Sequence, residues 1–391
     1  MSSKELQEQA YRELAEKARL FIHGIRIEDD VLDKTGAGLN VKERSSYRAG
    51  EKLVPASFKT PAGFNVAIHR NQDSDYSLEY TDGRFVVARK NIPIFENVAF
   101  PERPKFYDKF TSDGKKMTEI VHLASNGCVA IWYSNVCNFQ AHKETCLFCD
   151  IVSRPGNKFI KSASQIAESV KAAFDEGIAW RVDFTGGVIA ERKEIDYYAE
   201  AIKAIRETVG QETVNSAACI AAPREFSNIT RLHDSGFTVI TLNIEMWDKN
   251  FFNALCPGKA RTVGYEKWVE ALKFAAREFG FGNVRCNFVA GIEPMERTLE
   301  GVDYLSSLGV VANCNIWEPG KGTALGGHRS PTPEWYLELN EKAADILRHN
   351  GITFEQATNI HPNTDWLYHD FWRIREERLP IFKAAQNREP S

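Results

Sequence analysis

Apolar positions near the start of the chain recur at helical spacing. Leu6, Ala10, Leu14, Ala18 and Phe21 share one face, and charged or amide side chains occupy the other. Ser2 and Glu5 stand at the spacing of a capping box, which predicts where this helix begins. The rhythm then shortens. Phe64 to His69 and Arg84 to Ala88 read as strands, bounded by the turn signals Pro61-Ala62-Gly63 and Asp82-Gly83. Pro101, Pro104, Asp113 and Gly114 punctuate the exit. Residues 1–120 are therefore expected to form an α+β extension.

From residue 121 onward, strand-like and helix-like segments alternate. Strands are expected at Val129–Tyr133, Val182–Thr185, Val214–Ile220, Phe237–Asn243, Val284–Val289 and Val310–Ile316. Helices fall between them at Ala163–Glu176, Glu194–Thr208, Arg224–Asp234, Tyr265–Phe279 and Glu296–Ser307. Six strands in this order predict an α/β fold with a parallel sheet and right-handed crossovers, curved into a partial barrel over residues 121–325. Active sites of such barrels lie at the C-terminal ends of the strands. Ile240, Leu242 and Ile244 suit the face that meets the helices, which turns Thr241, Asn243 and Glu245 inward. Arg285 and Asn287, then Asn313 and Asn315, continue that inner face, so the lumen is expected to be polar and to take a polar ligand. Residues 326–391 are expected to be helical, with Pro333–Asn350 a helix and the aromatic stretch Trp366–Trp372 capping the barrel mouth.

Composition changes this picture little. The 391 residues are 43% hydrophobic and 26% charged with a net charge of −4, which fits a globular protein and lacks the basic footprint of a nucleic-acid binder. No apolar run is long enough to span a membrane, and the charged N-terminus does not resemble a signal peptide. A cytoplasmic, reducing location is the expectation. The eight cysteines then read as thiols or metal ligands rather than disulfides.

Cys137, Cys146 and Cys149 follow the first barrel strand in the spacing C-x8-C-x2-C. Three thiolates suit a cuboidal iron–sulfur cluster with one iron left open, since a cluster that only transfers electrons normally has four cysteine ligands. With His142 the same segment also supplies a Cys3His set for structural zinc, and a zinc-stapled binding protein remains the alternative. Cys286 and Cys314 read as core thiols and Cys256 as a loop residue. Cys219 falls near the barrel mouth. Cys128 begins its strand, at the far end of the barrel from a cluster.

The segment from Asn135 to Asp150, with Asn138 after the first cysteine and Phe148 before the last, resembles the cluster loop of the radical S-adenosylmethionine (SAM) superfamily. It differs from the usual C-x3-C-x2-C by five extra residues between the first two cysteines. The resemblance covers residues 121–325 and implies a (β/α)6 partial barrel, a [4Fe–4S] cluster on Cys137, Cys146 and Cys149, and bound SAM. Phe184-Thr185-Gly186-Gly187 resembles the turn whose backbone meets the SAM amino group. Asn243 and Glu245 end the fourth strand, where the family contacts ribose or methionine. Lys259 or Arg261 would pair with the SAM carboxylate. Asn287 lies on the inner face of the fifth strand, Ile292 sits in the turn that flanks adenine, and Trp317–Thr323 resembles a closing loop. The implied reaction is reductive cleavage of SAM to a 5′-deoxyadenosyl radical, which abstracts hydrogen from a small polar substrate. An external electron donor such as a flavodoxin or ferredoxin is implied as partner.

Overall fold

The computed structural model describes residues 2–35, 54–124, 127–134, 136–149, 160–189, 191–320, 322–360 and 366–386. Asn135, Asp150 and Lys321, which belong to the motifs above, lie outside them. The chain forms two compact units: residues 1–103, 331–344 and 365–391, and residues 104–330 with 345–364.

In the first unit, helix α1 (Ser3–His23) starts at the expected capping box: Ser2 accepts from the Glu5 N–H, and the Glu5 side chain returns to the Ser2 N–H. Leu6, Ala10, Leu14 and Ala18 are buried along one face. After β1 (Arg26–Ile27) and α2 (Asp29–Lys34), a hairpin forms from β2 (Ser57–Lys59) and β3 (Asn65–Ala67). Strands β4 (Tyr76–Thr81), β5 (Arg84–Arg89) and β6 (Ile92–Phe95) complete a sheet of order β1-β4-β5-β6. Asp82 and Gly83 both take positive φ between the paired Thr81 and Arg84, as a two-residue hairpin with right-handed strand twist requires. Helices Leu367–Arg375 and Pro380–Gln386 also belong here. Lys17 on α1 forms an ion pair with Asp370 at 2.6 Å, both side chains being buried.

The second unit is the barrel. Short helix α3 (Met117–Ile120) precedes β7 (His122–Ala124), which pairs antiparallel with β8 (Cys128–Trp132). Then come α4 (Asn138–Ala141), α5 (Ala163–Asp175), β9 (Arg181–Thr185), α6 (Glu191–Val209), β10 (Asn215–Ile220), α7 (Ser227–Asp234) and β11 (Val239–Leu242). Helices α8 (Lys249–Leu255), α9 (Pro257–Thr262) and α10 (Tyr265–Phe279), β12 (Val284–Ala290), α11 (Met295–Ser307) and β13 (Val310–Ile316) close the series. The sheet runs β13-β12-β11-β10-β9-β8-β7, with β8 to β13 parallel and in sequence order. Each expected strand and helix of the barrel is present within a few residues.

The sheet is curled rather than flat. Asp183 on β9 and Arg285 on β12 have two strands between them, about 14 Å along a flat sheet at ~4.8 Å per strand. Yet their side chains meet at 3.0 Å, both buried, across the concave face. The opposite face is apolar, with Ile240, Leu242 and Ile244 fully buried. Strand β7 has no counterpart in the expected pattern. Three residues are too few to show alternation, and the strand covers the open edge of β8. Helices α8 and α9 replace an expected loop. Asp248 caps α8 by accepting from the Asn250 and Phe251 N–H groups, and Pro257 opens α9, where a missing N–H costs nothing.

Candidate active site

The three cysteines lie where β8 ends. Tyr133 N–H donates to the Thr185 carbonyl at 3.2 Å, and Gly187 N–H to the Ser134 carbonyl at 2.9 Å. The exits of β8 and β9 thus stay paired beyond the sheet. Asn138 N–H then donates to the Val188 carbonyl at 2.7 Å, which fixes Cys137 beside the Gly186-Gly187 turn. A Cβ on Gly187 would stand 2.3 Å from the Val136 carbonyl oxygen and 3.1 Å from Cys137 Cα. Glycine is needed here because the cluster loop itself closes on the turn.

Beneath this turn sits a buried pair that the sequence reading did not single out. Tyr133 Oη lies 2.7 Å from the Gly187 carbonyl oxygen and 2.6 Å from Glu194 Oε1. A phenol has one proton, and a carbonyl can only accept. Tyr133 therefore donates to Gly187, and Glu194 must donate to Tyr133, so the carboxyl is protonated. Burial agrees, pushing Glu194 up to about 8. A tyrosine leaving a strand and a glutamate at a helix start are common, so no local signal marks the pair.

The loop's other side rests on the α8–α9 junction. Leu147 N–H donates to the Leu255 carbonyl at 2.9 Å, and Gly258 N–H donates to the Glu144 carbonyl at 3.1 Å. Arg261 grips the Glu144 carboxylate through two bonds of 2.6 and 2.7 Å. The insertion between the first two cysteines is thereby anchored, and Arg261 serves as its anchor. His142, within the same insertion, is exposed. Cys256, expected in a loop, is instead fully buried at the helix junction. The neighbouring Cys256 thiol and then Lys259 hold the Cys146 thiol below its ordinary range against the opposing effect of burial.

At the end of β11 the backbone turns sharply. Glu245 has φ of 70°, unusual for a residue with a side chain. Its N–H donates to the Asn287 carbonyl at 3.1 Å, and its carbonyl accepts from Val289 at 2.8 Å, so β12 holds the strained position. Lys259 donates to Glu245 Oε1 at 2.6 Å and to the Asn243 carbonyl at 2.7 Å, with its ammonium 4.7 Å from the Trp268 ring centroid. Burial alone would lower the Lys259 pKa, but the Glu245 carboxylate outweighs it and keeps the ammonium charged. Glu293, beside the half-buried Ile292, accepts from the Trp247 and Asp248 N–H groups at 3.0 and 2.8 Å. It ties the exits of β11 and β12 together. Phe148 is half-buried in the cluster loop.

The inner face carries a polar ladder. Asn313 Nδ2 donates to Asn287 Oδ1 at 2.8 Å, Asn287 N–H to Asn243 Oδ1 at 3.1 Å, and Asn243 Nδ2 to the Cys219 sulfur at 3.6 Å. Asp183 Oδ1, Thr241 Oγ1, Asn313 Oδ1 and Asn315 Oδ1 are buried without a hydrogen-bond partner among the described residues. Cys128 begins β8 and is pushed up to about 12 by burial, as expected of a core thiol.

The thiol set fits an iron–sulfur cluster. Cys137, Cys146 and Cys149 are free and partly accessible on one anchored loop, and the Cys146 thiol is held below its ordinary range. Among the described residues no three His, Cys, Asp or Glu side chains converge as a single metal ion requires. A cuboidal cluster spaces its thiolates farther apart.

A curled parallel sheet with three cysteines on the loop after its first parallel strand is the arrangement that the resemblance to radical SAM enzymes implies. Residues 133–305 match the family model of the Radical SAM superfamily, and the chain carries that domain. Among its relatives is the bacteriochlorophyllide c C-7(1)-hydroxylase of Chlorobaculum limnaeum, 28% identical over 254 residues, 60% of this chain and 63% of the relative. The chain thus spans less than two thirds of that relative's length. Similar solved structures include a methylornithine synthase, with a TM-score of 0.45 and 18% identity over 60% of this chain and 64% of that one. Another is the FeFe-hydrogenase maturase HydG from Carboxydothermus hydrogenoformans, with a TM-score of 0.44 and 18% identity over 58% and 52%.

Proposed function

We propose that this enzyme abstracts a hydrogen atom from a small, polar, hydrogen-bonding substrate held in the barrel lumen. The observation that carries the substrate class is the inner face, where buried oxygens of Asp183, Thr241, Asn313 and Asn315 keep unused capacity to accept hydrogen bonds. Buried polar groups are normally satisfied, and a guest bearing N–H or O–H groups would satisfy these. The hydroxylase relative is named for a bacteriochlorophyllide. The inner face of this chain is lined by asparagine, and on that ground we assign a small polar substrate here.

Cys137, Cys146 and Cys149 would hold a [4Fe–4S] cluster. When bound, the cluster would supply the one electron that splits the SAM sulfonium into methionine and the hydrogen-abstracting 5′-deoxyadenosyl radical. The chain's own residues bind and orient. Thr185, Gly186 and Gly187 present backbone to the SAM amino group, supported by Tyr133 and Glu194 below. Asn243, Glu245 and Asn287 face the ribose and methionine portions, Lys259 balances the charge of Glu245, and Ile292 and Phe148 supply apolar cover. Arg261 acts through Glu144 on the loop. A reducing, cytoplasmic setting with a flavodoxin or ferredoxin as donor suits eight free cysteines.

Purification without oxygen tests the assignment. The expected protein is brown, bleaches on dithionite, holds about four irons per chain and forms 5′-deoxyadenosine from SAM. Colourless protein with one zinc would overturn it. Cys146→Ala should abolish 5′-deoxyadenosine formation, while Cys128→Ala should retain it.

A further inference from the structure

Four of the five cysteines outside the cluster loop are closed off. Cys128, Cys256, Cys286 and Cys314 are at most 2% exposed, whereas Cys219 is partly accessible. Cys219 on β10 pairs in register with Thr241 on β11, which pairs with Arg285 on β12, so the three side chains share the concave face. The polar ladder fixes what the sulfur does there. Asn243 Oδ1 accepts the Asn287 N–H, which leaves Asn243 Nδ2 to donate to the Cys219 sulfur at 3.6 Å. The sulfur accepts in that contact, so its own proton is directed elsewhere. A thiol is protonated at neutral pH, and burial pushes Cys219 up to about 12. A second group opens onto the same space. Thr241 Oγ1, beside Cys219 on the next strand, is fully buried and has no hydrogen-bond partner among the described residues, and Asn313 Oδ1 is in the same state. Buried oxygens with unused capacity mark the place of a guest, and Cys219 lines that place.

We propose that Cys219 is a catalytic residue that returns a hydrogen atom to the substrate after abstraction, so that the reaction rearranges the substrate rather than oxidising it. This rests on the radical reading above. An S–H bond is weaker than a C–H bond, so a carbon radical takes hydrogen from a thiol held against it. The step breaks the Cys219 S–H bond, forms a C–H bond on the substrate and leaves a sulfur radical, with no change of charge. One electron from the protein donor that serves the cluster, and one proton from water, restore the thiol. Each turnover then draws two electrons, one for SAM and one for Cys219. The substrate leaves with as many hydrogens as it brought, and the new one comes from a group that exchanges with water.

Two measurements test this. The first needs no cluster. Iron-free native protein is treated with N-ethylmaleimide, and its peptides are mapped by mass. Burial pushes Cys286 up to about 12 as well, so a difference between the two thiols reports access. Cys219 should be labelled and Cys286 spared. Equal protection of both overturns the proposal, because the thiol would not open to the lumen. The second uses reconstituted protein with SAM and dithionite, without substrate, in thiol-free buffer made with D2O. The 5′-deoxyadenosyl radical then stands in for the substrate radical. The 5′-deoxyadenosine formed should carry deuterium drawn from Cys219. Cys219→Ala and Cys219→Ser should lose that label, since an O–H bond is too strong to yield its hydrogen to carbon. 5′-Deoxyadenosine without deuterium from the native protein, or with undiminished deuterium from Cys219→Ser, overturns the proposal alone. Native protein that forms no 5′-deoxyadenosine overturns the radical reading and this proposal together.

Discussion

Glu194 is neutral because one phenolic proton cannot serve two acceptors, and this has a consequence for stability. The free carboxyl has a pKa near 4.5, and in the folded protein it rises to about 8. Between these values the native state binds more protons than the unfolded one. Stability from this group is complete below pH 4.5 and is lost as pH rises through 8. Glu194→Gln keeps a donor toward Tyr133 and cannot ionise. It should remove this group's share of the fall in melting temperature between about pH 5 and 8, and the difference from native should vanish near pH 4. A parallel fall in both proteins would show that Glu194 is already ionised at neutral pH. The opposite case is His369, in the other unit, which burial and then Arg373 and Lys17 lower to about 3. Its contribution is lost instead as pH falls from 6.5.

At the scale of elements, the cluster loop is held by two turns that each contain a glycine pressed against it. Gly187→Ala would drive a methyl into the Val136 carbonyl, which is backbone and cannot swing aside. We expect Gly187→Ala to lose most of its iron on reconstitution while the helical circular dichroism of the barrel persists. Full iron content in this variant would mean that the turn and loop are not in contact. Gly187 was visible in the sequence as part of a glycine-rich turn, read there as making room for a ligand. The structure adds that the chain's own loop occupies part of that room. The α8–α9 junction was less visible, although Asp248 as cap and Pro257 at a helix start were signals available to find it. Its residues looked like a loop because Cys256 interrupts helical geometry, with φ of −123° and ψ of 56°.

At the scale of the molecule, each unit contains a buried ion pair, and the two differ in redundancy. Removing one partner of such a pair costs about 3–5 kcal/mol when the other charge is left unbalanced. Asp183 faces Arg285 across the barrel at 3.0 Å. Arg181, on the same strand, is also buried. Asp183→Asn should destabilise the barrel and lower its urea midpoint. In the other unit Asp370 has Arg373 at 3.3 Å besides Lys17. Lys17→Met should therefore cost less than the ~3–5 kcal/mol expected for a carboxylate left alone. Hydrogen exchange resolved by peptide would assign each loss to its unit, and a loss in Lys17→Met as large as that range would show that Arg373 does not balance Asp370.

The order of strands and helices, the capping box of α1, the Asp82-Gly83 hairpin and the polar inner face could all be read from the chain. Each depends on periodicity or on turn chemistry within a few residues, and such preferences act before any tertiary contact exists. The three cysteines of the proposed cluster were legible for the same reason. What only the tertiary structure decided is the company those cysteines keep. Glu194 meets Tyr133 from 61 residues away, Arg261 reaches Glu144 across 117, and the backbone of the α8–α9 junction bonds to that of the cysteine loop at Leu147 and Glu144. No local pattern announces such partners, because the force that buries them together is the packing of whole helices on a curled sheet.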